Sequence, residues 1–230
     1  MCCESREPAS FVEHFGERMC VNCADLRQRR AGDTSPKPAA RVGAGVSDGW
    51  VGEVRAWCRQ AGWLPRLPLW LAVAYLTVRH LADAQYTSVF GAINFGIHEL
   101  GHVVFAPFGQ FLEAAGGTLL QLAAPTAAAV VFLRQRDWFA VTVALAWLGT
   151  NGFGIAVYVA DARAQALPLL GLGAGEPIHD WNYLLGRLGL LRSDQALAAL
   201  CRAAGAASML AAVVGGAWML VEMARGARRR

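Results

Sequence analysis

The residues best suited to chemistry lie in the stretch His98-Glu99-Leu100-Gly101-His102, a His-Glu-x-x-His pattern. On a helix, His98 and His102 are four residues apart, so their imidazoles share a face one turn apart and can converge on one cation. Glu99 lies about 100° around the helix from His98, within reach of a water at that cation and able to take its proton. The surroundings sharpen the signal. From Phe90 to Phe111 the only formally charged residue is Glu99. An ionisable cluster in such apolar sequence is expensive and marks a functional site by default. The bland alternative is a buried histidine pair beside a neutralised glutamate.

Two imidazoles do not complete a catalytic zinc site; a third protein donor is needed, with one position left open. The other histidines are His14, His80 and His179. His14 falls in an N-terminal leader and His80 at the end of an apolar run, where it suits a membrane interface. The remaining donors are Asp161, His179 and Asp180. Asp161 ends a 23-residue uncharged run, Trp138 to Ala160; its other reading is a helix end paired with Arg163. His179-Asp180-Trp181 follows Pro177 in an irregular stretch. There, one residue can ligate while its neighbour orients it, or the whole can be a surface turn. Asn94, Gln121 and Asn151 each need a hydrogen-bond partner in lipid, either toward the site or between helices. Cys20 and Cys23 have knuckle spacing, and with Cys2 and Cys3 they make a weaker candidate for a second zinc. A reduced tail is the simpler reading.

The elements that must position these residues are apolar. Hydrophobic residues make up 55% of the 230-residue chain and charged ones only 17%, and the charges crowd into the first 66 residues, the connections and the C-terminal tail. That segregation predicts an integral membrane protein in contact with a lipid bilayer. The basic residues flank apolar runs and form no stripe, so no nucleic-acid partner is expected. The first 60 residues lack the apolar core of a cleavable signal peptide.

The expected architecture is all-α, a multi-pass transmembrane helix bundle of about five to six segments, some broken or re-entrant. Residues 1–45 read as a flexible leader and linker. Residues 46–66 hold an interfacial amphipathic helix, with Trp50, Val54, Trp57 and Cys58 on one side. Residues 67–225 form the membrane domain and 226–230 a basic tail. Within the domain the apolar runs are Leu67–Ala82, Val89–Phe111, Ala114–Leu133, Trp138–Ala160 and Ala203–Val221. Pro107 should bend or end the motif helix. Gly116-Gly117 and Pro125 should break the third segment. Orientation is over-determined: the leader, Arg134/Arg136 and Arg228–Arg230 all ask to be cytoplasmic, and five full crossings cannot satisfy them. Either the first or second segment is re-entrant, or Trp181–Leu191 adds a partial crossing, or the leader breaks the rule.

His98-Glu99-Leu100-Gly101-His102 on an apolar helix, followed by the Gly116-Gly117 span and a span ending in Asp161, resembles the site-2 protease class of intramembrane zinc metallopeptidases. The likeness covers Val89 to Asp161. It implies zinc held by His98 and His102, Glu99 as the catalytic base, and a membrane-protein substrate. In that class the third ligand is an aspartate closing an Asn/Pro-rich stretch and followed by glycine; Asp161 is the position to compare with it, with His179 and Asp180 equally open. Here the stretch Asn151 to Asp161 lacks the proline and the glycine after the aspartate. The Ala-, Gly- and Arg-rich composition points to a GC-rich bacterial genome, and the expected location is a bacterial inner membrane. Two other classes remain in view: a metal-binding carrier or scaffold, and a zinc hydrolase acting on a small amphiphile.

Overall fold

A computed structural model of the chain describes residues 11–14, 17–20, 49–168 and 178–228. The chain divides into two compact units, Met1–Gly49 and Trp50–Arg230. In the first, β1 (Phe11–His14) pairs antiparallel with β2 (Glu17–Cys20), Phe11 opposite Cys20 and His14 opposite Glu17. The expected leader therefore contains a short hairpin. Cys2, Cys3 and Cys23, and the linker from Arg27 to Gly45, lie outside the described residues, as does the glycine-rich piece Gly171–Gly175 with Pro177.

Among the described residues the long elements of the second unit are all helices: α1 (Gly49–Gln60), α2 (Leu67–Ala82), α3 (Phe90–Phe105), α4 (Gln110–Arg134), α5 (Trp138–Ala160), α6 (Asp180–Arg187) and α7 (Asp194–Ala227). Three stretches are long and apolar enough to cross a membrane: Gln110–Arg134, Trp138–Ala160 and Leu191–Ala227. The core of the bundle is α5 against α7. Gly149, Gly152 and Gly205 let these backbones meet closely; a Cβ on Gly152 would stand 2.7 Å from Gly205 Cα. Small residues give this close approach in apolar surroundings, where dispersion rather than water drives packing.

Two expectations are corrected. Gly116-Gly117 and Pro125 do not break the third segment, because α4 is continuous from Gln110 to Arg134. Pro125 forfeits only the bond to the carbonyl one turn back, and the glycines serve contact with α3 instead of a kink. Pro107, by contrast, does end the motif helix, which passes into a 3-10 turn at Ala106–Phe108. Gly109 then adopts φ +93°, a conformation that favours glycine, and turns the chain into α4. At α1, Val54 and Cys58 pack on Phe139, Met219 and Met223 of the bundle, while Trp50 stays 69% exposed.

Helices α2 and α3 have 16 residues each, about 24 Å, short of the roughly 30 Å hydrocarbon core. Along α2, Val73 packs with Ala146 and His80 with Phe153, 5.2 Å between rings. Along α3, Phe90 stacks on Trp147 at 6.4 Å and His98 approaches Tyr158 at 5.9 Å. Both helices thus run in the direction of α5, and residues 83–89 step back between them. Together they make one traverse in two stages, while α4 and α7 return. Both ends of the unit meet: a Cβ on Gly226 would stand 3.2 Å from Arg59 Cα, and Arg136 pairs with Glu53 at 3.8 Å.

Candidate metal centre

Three elements build the site. Helix α3 supplies His98 and His102 on one face; α4 supplies the wall behind them; α6 brings Asp180 at its first residue. Asp180 Oδ2 lies 3.1 Å from His98 Nε2 and 3.3 Å from His102 Nε2. These three side chains are the one group of potential metal ligands among the described residues, with all donor atoms within 4.8 Å. Bonds of about 2.0–2.2 Å in a tetrahedral shell put neighbouring donors about 3.3–3.6 Å apart, close to the two Asp180–histidine separations, so the three can share a single small cation.

The other ring nitrogens are already spoken for. His102 Nδ1–H donates to the Glu113 carbonyl at 2.8 Å, and His98 Nδ1–H donates to Gln121 Oε1 at 3.1 Å. A carbonyl can only accept, so the neutral His102 ring turns a bare Nε2 lone pair toward the Asp180 carboxylate. Two lone pairs aimed at a carboxylate oxygen need a positive charge among them, either a proton on the ring or a metal. Holding Nδ1 on oxygen acceptors is also how metal-ligating histidines are oriented. The space is there as well. A Cβ on Gly117 would fall 2.7 Å from His98 Nε2 and 2.8 Å from His102 Nε2. Glycine at that position keeps the flank of both donor nitrogens open.

Glu99 is 7% exposed and accepts no hydrogen bond from any described residue. That leaves its carboxylate available to a water or a substrate. The His98 and Asp180 side chains are 11% and 10% exposed and His102 is 21%, so the site opens on its His102 side.

Of the candidate third donors, the structure brings only Asp180 to the pair. Asp161 and His179 stand apart and bind each other, His179 Nε2–H donating to Asp161 Oδ2 at 3.3 Å. His179 Nδ1 accepts from the Asn182 N–H at 3.3 Å and so caps α6, leaving neither nitrogen free. Asp161 Oδ1 and Oδ2 accept from the Ala166 and Leu167 amides at 3.0 and 3.1 Å. Both carboxylate oxygens are spent closing the turn after α5, so Asp161, one of the three candidates, is not brought to the histidine pair. The expected Asp161–Arg163 pair is absent too; Arg163 binds Asp194 at 2.7 Å. His80 lies buried between Tyr86 and Phe153, away from the site.

Sequence reading missed Tyr158, whose hydroxyl bonds Asp180 twice. Its signal was modest: it is the one tyrosine in the Trp138–Ala160 span, three residues before Asp161. Asn94 is bound to Trp147 and Thr150, which is the interhelical use. Comparison with known proteins gives no relative: no family model, no curated protein and no solved structure matches the chain.

Proposed function

We propose that this chain is a membrane-embedded, zinc-dependent peptidase in which His98, His102 and Asp180 hold the metal and Glu99 is the catalytic base. The observation carrying this reading is the convergence of the three donors beside Glu99, whose carboxylate accepts no hydrogen bond from the described residues. A zinc ion there supplies Lewis acidity and lowers the pKa of a water. Glu99 takes the proton of the attacking water and delivers it to the departing amine. Gln121 and the Glu113 carbonyl hold the imidazoles in the required tautomer. The peptide substrate, a membrane protein, rests on the His-Glu-x-x-His resemblance and on the apolar setting of the site; it reaches the site from the more open His102 side as a locally unwound segment.

The setting we propose is the inner membrane of a bacterium, with the arginine-rich end cytoplasmic. The test of function is Glu99→Gln in purified full-length protein. Zinc content measured by mass spectrometry should be unchanged. Cleavage of a fluorescent casein in detergent should fall by about 10²–10⁴-fold, the usual contribution of a general base. A variant that holds zinc and cuts at the normal rate rules out Glu99 as the base.

A further inference from the structure

We infer that Tyr158 is the positioning residue for the third donor, its phenol gripping Asp180 by main chain and side chain at once so that Oδ2 faces both imidazoles. The inference rests on the metal reading above and adds a residue that the His-Glu-x-x-His pattern does not contain. Asp180 begins a helix of only eight residues. A donor so placed can be misaimed in two ways, by drift of the helix start and by rotation of its own side chain. Tyr158 addresses both. Its hydroxyl accepts from the Asp180 N–H at 3.2 Å and donates to Asp180 Oδ2 at 3.2 Å. The oxygen that receives the phenol proton is the same one that faces His98 and His102.

The phenol is itself held. Its ring lies 4.4 Å from the His179 ring at 31° and 5.9 Å from the His98 ring at 71°. His179, fixed by Asp161 on one side and Asn182 on the other, forms the back of this wall. Tyr158 belongs to α5, the most deeply packed helix of the bundle, and so transfers the rigidity of the core to a short peripheral helix. Because the phenol also draws charge from Oδ2, it tunes the donor strength of that oxygen toward a cation.

The test compares wild type, Tyr158→Phe and His98→Ala as full-length proteins in detergent, using Zn²⁺ in chelator competition and Co²⁺ as a visible-spectrum probe. Phenylalanine keeps the ring packing and removes both hydrogen bonds. Zinc should bind about 10–100-fold more weakly, the range for residues that support a ligand. The Co²⁺ absorption bands should shift even when the site is saturated, beyond any metal-free stability that the two lost hydrogen bonds cost. A purely structural Tyr158 would lower metal-free stability alone and leave the Co²⁺ bands in place. Equal zinc affinity with superimposable Co²⁺ spectra overturns the inference. Absence of metal uptake in wild type overturns the metal reading itself, a different outcome on the same instrument, and His98→Ala sets the baseline for a broken site.

Discussion

Asp180 and Asp161 are both carboxylates near the end of α5, and the hydrogen-bond pattern assigns them different work. Asp180→Asn should weaken zinc binding by more than the roughly 10–100-fold expected for a supporting residue. Asp161→Asn should leave zinc bound and instead cost about 1–3 kcal/mol of stability, the scale for losing bonds to a charged group. Chelator competition and denaturant unfolding on the two variants separate these roles. The Asp161 bonds also set a direction in pH. Burial opposes its ionisation, but the amides of Ala166 and Leu167 and the His179 ring outweigh that and hold its carboxyl below the usual value. Its stabilising contribution is therefore complete above the unfolded value of about 4 and is lost as pH falls through the lower folded value. Wild type should lose that increment only in acid, and Asp161→Asn should show no such loss.

Gly117 is a second residue-scale test. With its Cβ position 2.6 Å from His98 Cε1, Gly117→Ala must push the ring or the helix aside, and zinc affinity should drop although no ligand is changed. The His98–Glu99–His102 cluster was legible from the sequence because the chemistry needs those types at helical spacing. The choice among Asp161, His179 and Asp180 was not. It depends on which nitrogens and oxygens the turn after α5 consumes, and that is decided by the backbone amides of residues 166, 167 and 182.

Among the elements, α2 and α5 have the limits expected from their apolar runs, because charges close them: Asp83 after α2, and Asp137 and Asp161 around α5. The Asp137 side chain also caps α5 by accepting from the Ala140 amide. The last helix is longer than its apolar run. It starts at Asp194, which is buried and bonded to Arg163, so a charged residue inside the helix hid its true beginning. The continuity of α4 was equally hidden, since Gly116-Gly117 reads as a break until Gly101 and Phe105 are seen packed on it. The α5–α7 contact offers an element-scale prediction. A Cβ on Gly205 would stand 2.8 Å from Gly149 O and 3.2 Å from Phe153 N. Gly205→Val should force the helices apart at a cost of about 1–3 kcal/mol, read as earlier unfolding in a detergent titration.

For the whole molecule, α2 and α3 both run in the direction of α5. In the proposed membrane setting the pair counts as one crossing, which with α4, α5 and α7 makes four and brings both ends of the helical unit to the same face. That face carries Arg55, Arg59, Arg66, Arg134, Arg136 and Arg225. Parity could not be read from hydropathy, because it depends on both short helices running parallel to α5. Tyr158 lies twenty residues beyond Trp138, about 30 Å along the axis, so the site belongs to the opposite face. Cysteines placed at Arg134 and Arg228 should react with impermeant thiol reagents only from the cytoplasmic side. A cysteine at Gly189 should react only from the other. Labelling of 134 and 189 from one side contradicts a crossing by α5.

The most direct measurement is zinc X-ray absorption on the purified full chain beside its Asp180→Asn variant. Two imidazoles and further light-atom donors are expected at about 2.0–2.2 Å in the wild type, with the first shell altered in the variant. A wild-type protein that binds no zinc, or a coordination shell indifferent to Asp180→Asn, contradicts a centre built from His98, His102 and Asp180.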